Sequence, residues 1–181
     1  MNNEMEHVEI RRVTVDEIDR LRRIGIQTFT ETFSPDNTPE NLSRYVEAGF
    51  SPEKLGRELN DKGSEFYFAL LDKTVIGYLK VNFGHSQTEL KAEHGLEIER
   101  IYVLKEFHGK DVGQRLYEKA LEISGRIRAD YIWLGVWEKN PRAIRFYEKN
   151  GFVAFDKHMF RVGDDDQTDI MMKLRLKRQA K

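Results

Sequence analysis

The chain lacks cysteine altogether, which excludes disulfide bonds, thiolate metal ligands and a cysteine nucleophile. It also lacks an excess of one charge, because 30 basic and 31 acidic residues leave a formal net charge of -1. We therefore expect no nucleic-acid partner. No apolar run approaches the roughly 20 residues that cross a bilayer, and the N-terminus shows no signal-peptide core. These absences predict a soluble, cytoplasmic protein with no membrane partner.

The histidines give no sign of a metal site. There are five, at positions 7, 85, 94, 108 and 158. None has the i, i+4 spacing by which two histidines on one helix face share a metal ion. We therefore expect no bound metal.

Apolar patterning predicts strands and helices in a mixed α/β layer fold, with one domain over residues 1–181. Thr14 and Glu17 form a capping-box pattern at a first helix. Ser51-Pro52 and Asn140-Pro141 are typical helix starts, with a capping side chain before proline. The predicted strands cover residues 8–13, 66–71, 75–81, 96–103, 131–137, 152–161 and 169–176, with an acidic turn at 164–166 between the last two.

The stretch from Leu96 to Gln114 is the centre of the functional prediction. A strand over residues 96–103 runs into a turn with glycines and then opens a helix. That order places backbone N–H groups at a helix N-terminus, where phosphate groups bind readily. Glu97 and Glu99 are two residues apart on the strand and therefore share a face. The sequence thus predicts an anion site next to a pair of carboxylates.

Residues in the last helix carry a resemblance to a known family. Asn140, Ala143, Phe146, Tyr147, Lys149, Gly151 and Phe152 form a motif that resembles the GNAT superfamily of acetyl-coenzyme A dependent N-acetyltransferases. The segments 133–140 and 163–169 look like the PaiA-type spermidine/spermine N-acetyltransferases within it.

The resemblance implies a mixed, mostly antiparallel central sheet of six to seven strands flanked by helices. It also implies that the sheet is splayed between strands 96–103 and 131–137, with the pantetheine arm of acetyl-CoA in the opening. The cofactor-binding residues that it implies are Ile101, Tyr102 and Val103 on the strand, His108, Gly109, Lys110, Asp111, Val112, Gly113 and Gln114 in the turn, and Asn140 and Tyr147 on the last helix.

The turn departs from the family pattern, Gln/Arg-x-x-Gly-x-Gly/Ala. The corresponding residues are His108, Asp111 and Gly113. Asp111 adds a Cβ and a negative charge where the family has glycine beside the phosphates. The alternative is that Asp111 points away and acts as a favourable acid at the helix N-terminus.

Acetyl transfer to a protonated amine requires a base, donors for the developing oxyanion and an acid for the leaving thiolate. Glu99 and Glu97 are the candidate bases, with Glu99 preferred, and we expect them to share a face with Ile101 and Val103. The alternative is a cross-strand ion pair with Lys80 or Arg100. Tyr147 is the candidate acid, since it matches the family's general-acid position. Asn140 is either a helix cap, a contact for the pantetheine arm, or both.

The acceptor is predicted to be a primary amine, with a polyamine such as spermidine or spermine as the substrate, by direct attack on the thioester. A polyamine site should combine acids with aromatic walls. Glu31, Phe33 and Trp137 are the substrate-binding candidates, and further acids lie at Asp36, Glu89 and Glu93. Alternatives are a protein N-terminal or lysine acetyltransferase and a non-catalytic acyl-CoA-binding regulator. Apolar positions in the final strands leave a homodimer open.

Overall fold

The computed structural model describes residues 7–91, 94–162 and 164–177. Glu93, named above, and Gly163, the first residue of the segment 163–169, lie outside these residues. Within them, seven strands form one sheet. The strands are β1 (Val8–Arg12), β2 (Ser64–Leu71), β3 (Thr74–Phe83), β4 (Gly95–Val103), β5 (Tyr131–Trp137), β6 (Val153–Val162) and β7 (Asp165–Arg175).

The sheet has the order β1-β2-β3-β4-β5-β7-β6. Every neighbouring pair is antiparallel except β4 and β5, which run parallel. Their pairing covers only Gly95–Glu97 on β4 against Tyr131–Trp133 on β5. The two strands separate beyond that point, so the predicted mixed, mostly antiparallel and splayed sheet is confirmed.

Three of the five α-helices in the described residues begin in the same way, with a capping side chain followed by proline. Thr38 caps α2, Ser51 caps α3 and Asn140 caps α5, each accepting a hydrogen bond from a backbone N–H three residues on. The described residues contain no helix that is both long and apolar enough to cross a membrane. The helices are α1 (Ile18–Phe33), α2 (Pro39–Gly49), α3 (Pro52–Asn60), α4 (Val112–Arg126) and α5 (Pro141–Lys149).

The helices cover both faces of the sheet. On one face, the ring of Phe33 on α1 lies 4.9 Å from the ring of Trp137 on β5. On the other, α4 packs on β3 and β4. Tyr117 of α4 meets Phe146 of α5 edge to face, which joins the two helices. The opening between β4 and β5 therefore lies between two helical layers.

The last hairpin is longer than its sequence predicts. Val162 pairs with Asp165, so β7 begins inside the acidic run that patterning assigned to a turn. Backbone pairing with β6 outweighs the low strand propensity of aspartate there. On β6, an edge strand, Val153, Phe155 and Met159 are exposed. The homodimer suggested by such positions stays a prediction.

Candidate active site

A cavity of about 630 Å³ fills the opening between β4 and β5. It is lined by the predicted site residues except Glu31 and Lys110. Those that line it are Glu97, Glu99, Ile101, Tyr102, Val103, His108, Gly109, Asp111, Val112, Gly113, Gln114, Asn140, Tyr147, Phe33 and Trp137.

One end of the cavity, here called the turn end, is formed by residues 108–114 and the start of α4. Gly109 and Asp111 both adopt the left-handed conformation, with φ of 74° and 66°. A Cβ built on Gly109 would meet nothing within 4 Å, so the space beside this backbone is open. The first N–H groups of α4 have no acceptor within the helix. Together these features fit the binding of phosphate groups, as in acetyl-CoA.

The backbone conformation of Asp111 explains why the family pattern has glycine at this position, because left-handed residues favour glycine. Aspartate tolerates this region better than most side chains do. Asp111 is the residue before α4, yet its side chain makes no capping hydrogen bond. The positive charges near the turn end come from Arg142 and Lys149, which also line the cavity. Lys110 instead lies with its ammonium 5.1 Å from the centre of the Phe107 ring.

His108 holds the end of β4. Its Nε2 lies 2.8 Å from the Val103 carbonyl oxygen, which can only accept, so Nε2–H donates. Burial lowers the pKa of His108, and the nearby charge of Arg142 adds to that shift. The ring is therefore neutral at neutral pH. Asn140 uses its Oδ1 to cap α5, accepting from the Ala143 N–H at 3.1 Å.

A β-bulge at Glu99 changes which residues of β4 share a face of the sheet. Asn82 on β3 lies opposite Glu97 and Lys80 lies opposite Arg100, which leaves Glu99 as the extra residue. Residues opposite each other share a face, so Glu97 shares its face with Arg100 and Tyr102. The expectation that Ile101 and Val103 share the glutamates' face is therefore wrong. That expectation assumed that side chains alternate strictly between the two faces of the strand, and an inserted residue interrupts this alternation.

Glu99 forms the ion pair that the sequence offered as the alternative to catalysis. Its Oε2 lies 2.5 Å from Lys80 Nζ and accepts from Asn82 Nδ2 at 2.6 Å. Burial alone would raise the pKa of Glu99, but the charges of Arg100 and Lys80 outweigh burial and lower it to about 2. A carboxylate with so low a pKa is a weak proton acceptor.

Glu97 is buried, and both of its carboxylate oxygens accept hydrogen bonds. Oε2 accepts from Asn82 Nδ2 at 3.0 Å and from the Thr88 N–H at 2.8 Å. Oε1 accepts from the Thr88 hydroxyl at 2.5 Å. Burial raises the pKa of Glu97, while these hydrogen bonds oppose the shift. Glu97 is thus the more basic of the two glutamates, and it anchors the segment around Thr88.

Tyr147 projects from α5 into the cavity among the rings of Phe146 and Phe152. Its side chain is only 7% exposed, and burial raises the pKa of its phenol well above the ordinary value. The hydroxyl has no hydrogen-bond partner among the described residues. A phenol of this kind stays protonated and is free to donate to a group in the cavity.

Glu31 lies outside the cavity. Its Oε2 accepts from the Lys105 N–H at 2.8 Å, so this side chain holds the turn after β4. Phe33 and Trp137, in contrast, contact each other in the cavity wall with their rings tilted by 36°, and Phe160 meets Phe33 edge to face at 6.1 Å. The aromatic part of the predicted acceptor site is therefore brought together, and Glu31 is not part of it.

Asp169 on β7 is a cavity residue for which the sequence suggested no role. It lies opposite Trp137 on β5 and His158 on β6. Burial raises the pKa of Asp169 to about 6. The available signal was an acid directly before the apolar run Ile170-Met171-Met172 in a strand. With Glu89, Glu97 and Glu99 it forms what we call the acidic end of the cavity.

Among residues 7–91, 94–162 and 164–177, no group of three or more His, Asp or Glu side chains could hold a metal ion. The acids of the acidic end are thus arranged around the cavity and not around one central point.

Comparisons with known proteins place these features in one family. Residues 18–152 match the model of the Acetyltransferase (GNAT) family. An uncharacterized N-acetyltransferase in the pepI 3' region of Lactobacillus delbrueckii subsp. lactis is 40% identical over 93% of this chain and 98% of its own length. The N-alpha-acetyltransferase of Saccharolobus solfataricus is 26% identical, over 86% of this chain and 87% of its own.

A comparison with solved structures finds the same fold in another acetyltransferase. The crystal structure of the PaiA N-acetyltransferase from Thermoplasma acidophilum in complex with coenzyme A superposes with a TM-score of 0.77. The match covers 93% of this chain and 99% of that one, at 22% identity. The chain therefore belongs to the acetyltransferase (GNAT) family and is an acetyl-CoA-dependent N-acetyltransferase.

Proposed function

We propose that this N-acetyltransferase acts on a primary amine of a small polycation, such as spermidine or spermine, in the cytoplasm. A single domain, residues 1–181, carries the reaction in this proposal. The observation that supports it is the separation of charge along one cavity. The turn end has Arg142, Lys149 and the N-terminus of α4, and the acidic end has four carboxylates.

The two ends are far enough apart to act independently. Glu97 and Val103 are six residues apart on β4, which corresponds to roughly 20 Å at about 3.3 Å per residue. The screening length at physiological ionic strength is about 8 Å. The negative charge of the acidic end is therefore not cancelled by the turn end. An anionic donor and a cationic acceptor would each meet a complementary field.

The four carboxylates of the acidic end differ in whether they have an ion-pair partner. Glu99 is neutralised by Lys80, and Glu89 contacts His158 Nδ1 at 2.9 Å. Glu97 and Asp169 have no ion-pair partner among the described residues. Two carboxylates without ion-pair partners, in the same cavity as the rings of Phe33 and Trp137, suit a ligand with several ammonium groups on hydrocarbon spacers.

Acetyl-CoA supplies an acetyl group activated as a thioester, and the protein's residues position the reactants. The N–H of Leu104 donates to Ile76 on β3. Because successive N–H groups of a strand point to opposite edges, those of Ile101 and Val103 face the opening. We assign these two N–H groups to the pantetheine arm. Tyr147 donates its hydroxyl proton toward the departing sulfur, and Glu97 attracts the cation.

A second candidate acceptor is a protein N-terminus. The relative from Saccharolobus solfataricus is named an N-alpha-acetyltransferase, and an N-terminal amine is also a cation at neutral pH. A peptide, however, carries many neutral amides that would need partners in the cavity wall. The unpaired groups at the acidic end are carboxylates, which favours the polyamine.

A thiol-release assay with acetyl-CoA tests the proposal. The amines are spermidine, spermine, a monoamine of equal length, a peptide with a free N-terminus and a lysine peptide, and products are identified by mass spectrometry. We expect the highest kcat/KM for a polyamine. Preference for the free N-terminal peptide would establish the second candidate. Coenzyme binding without thiol release to any amine would indicate a non-catalytic regulator.

A further inference from the structure

The carboxylate of Asp169 stands apart from the other acids of the cavity. It makes no hydrogen bond or ion pair to any residue in the ranges 7–91, 94–162 and 164–177. It is mostly buried nevertheless, on β7, which lies between β5 and the edge strand β6. A buried carboxylate without a partner is costly. Such a group in a cavity is a candidate for binding a ligand from outside the chain.

Gly135 provides the space beside this carboxylate. It is the exposed residue of β5, and it faces the cavity. A Cβ built at this position would lie 3.0 Å from Asp169 Oδ2. Any larger residue would therefore press on the carboxylate, whereas glycine leaves one of its oxygens accessible from the opening between the strands.

The two glutamates of β4 are poorly placed to accept a proton. Lys80 neutralises Glu99. The oxygens of Glu97 already accept three hydrogen bonds, from Asn82 and Thr88. A third carboxylate in the same cavity, with both oxygens free of protein donors, is the better acceptor.

We propose that the carboxylate of Asp169 holds the acceptor amine in the opening between β4 and β5 and takes up the proton that the amine loses on attack. This assignment rests on the proposed function. It makes Asp169, and not Glu97 or Glu99, the catalytic base.

The electrostatic surroundings of Asp169 agree with this role. The titratable groups around it are His158 on β6, Glu89 in the loop after β3, Tyr45 on α2 and Tyr102 on β4. Burial raises the pKa of Asp169 to about 6, with His158 opposing the shift and Glu89 adding to it. For an amine of pKa about 10.4, the pKa of the donor exceeds that of Asp169 by about four, so proton transfer to Asp169 is unfavourable by that difference. Transfer to Glu99, with a pKa of about 2, is unfavourable by about eight.

The step balances as follows. The ammonium has three protons, and the neutral amide product keeps one. One proton passes to the Asp169 carboxylate and from there to water. The amine nitrogen forms a bond to the acetyl carbon, the carbon–sulfur bond breaks, and the sulfur leaves with the electron pair. The second proton that the nitrogen loses ends on that sulfur, with Tyr147 as the donor to it.

The test is the pH dependence of spermidine acetylation by wild type and Asp169→Asn. Wild-type kcat/KM should fall below about pH 6, where Asp169 becomes protonated. Asp169→Asn should lower kcat/KM at pH 8 by about 10²- to 10⁴-fold. It should also remove the decline below pH 6 and leave coenzyme A affinity within about twofold. Asp166→Asn is the matched control, because Asp166 is an exposed acid on the same strand, and it should behave as wild type.

Three further measurements distinguish a catalytic role of Asp169 from a purely structural one. Asp169→Asn should raise the melting temperature at pH 8 by a few degrees, since it removes a buried, unpaired charge. Glu97→Gln should keep the decline below pH 6. Gly135→Ala should raise KM for spermidine by displacing the carboxylate. Asp169→Asn with wild-type kcat/KM, or with the decline intact, would overturn the assignment.

A readout without turnover separates this assignment from the proposed function. In carboxyl-¹³C NMR of the coenzyme A complex, the Asp169 signal is identified by its loss in Asp169→Asn. Its pKa should fall when spermidine is added, because a bound ammonium stabilises the carboxylate. An unchanged Asp169 signal in an active enzyme refutes the assignment alone. Absence of thiol release with every amine refutes the proposed function.

Discussion

At the scale of single residues, the surroundings of each ionisable side chain in the cavity shift its pKa in a different direction. Tyr147 lies among aromatic rings on α5, and burial raises the pKa of its phenol. Glu99 lies beside Lys80 and Arg100, which lower the pKa of its carboxyl group to about 2. Asp169 has no lysine or arginine partner among the described residues, and burial raises its pKa to about 6. The pKa of a carboxyl group in this cavity thus depends on the charged groups and the burial around it.

Tyr147→Phe tests the donor. The substitution removes one hydroxyl that has no protein partner among the described residues, so the fold should be unaffected. Stabilisation of the departing sulfur is lost, and kcat should fall about 10²-fold or more while acetyl-CoA affinity stays within about twofold. Single-turnover kinetics and calorimetry measure the two quantities. Wild-type turnover in this variant would remove Tyr147 from the mechanism.

Asp111→Gly tests how the aspartate in the turn after β4, where the family pattern has glycine, affects coenzyme binding. Asp111 has φ of 66°, which glycine adopts without strain, and the substitution also removes a negative charge near the phosphate site. Acetyl-CoA affinity should be unchanged or up to about tenfold tighter, a difference of about 1.4 kcal/mol. Asp111→Asn is the control, since it removes the charge but keeps a side chain. A marked loss of affinity in Asp111→Gly, measured by calorimetry, would contradict the account.

At the scale of the elements, the sequence predicted the helix starts and the strand–turn–helix, because these depend on local chemistry. Ser51-Pro52 and Asn140-Pro141 cap helices as expected. The bulge at Glu99 could not be read from the sequence, since it arises from how β4 pairs with β3. It brings Glu97 and Glu99 together on Asn82. Asp169 was missed for the same reason: its place in the cavity follows from the order β4-β5-β7.

The bulge also determines a pH dependence of stability. The folded pKa of Glu99, about 2, lies below its ordinary value of 4.5, so the unfolded chain binds the proton first as the pH falls. Glu99 should therefore contribute about 3 kcal/mol to the free energy of unfolding above pH 5, and this contribution should vanish between about pH 5 and pH 2.

Urea unfolding of wild type and Glu99→Gln between pH 7 and pH 3 measures this contribution. The variant leaves Lys80 without its closest carboxylate, so it should be the less stable protein at pH 7. The gap between the two proteins should narrow as the pH falls toward 3. A gap of constant size across that range would show that the ion pair with Lys80 does not hold Glu99 in its charged form.

At the scale of the whole molecule, the seven-stranded sheet opens between β4 and β5 and joins two electrostatic environments in one cavity. The formal net charge of -1 conceals this separation. Composition therefore predicted no nucleic-acid partner, and it did not reveal the acidic end. That end consists of residues from β4, β7 and the loop after β3, which only the fold brings together.

The charge separation predicts a salt dependence. Raising ionic strength from 0.01 M to 0.1 M shortens the screening length from about 30 Å to about 10 Å. The kcat/KM for spermidine should fall severalfold over this range, and that for a monoamine of equal length should fall much less, because attraction grows with ligand charge. Initial-rate kinetics at pH 8 provide the comparison. Equal salt dependence for both amines would contradict attraction by the acidic end.

A crystal structure of the chain with coenzyme A and spermidine would locate both substrates in the cavity. We expect the pyrophosphate on the N–H groups at the start of α4 and the sulfur within hydrogen-bond distance of the Tyr147 hydroxyl. We also expect a terminal nitrogen of spermidine against the Asp169 carboxylate, in the opening between β4 and β5. Spermidine bound outside this opening, or coenzyme A with its sulfur remote from Tyr147, would contradict these expectations.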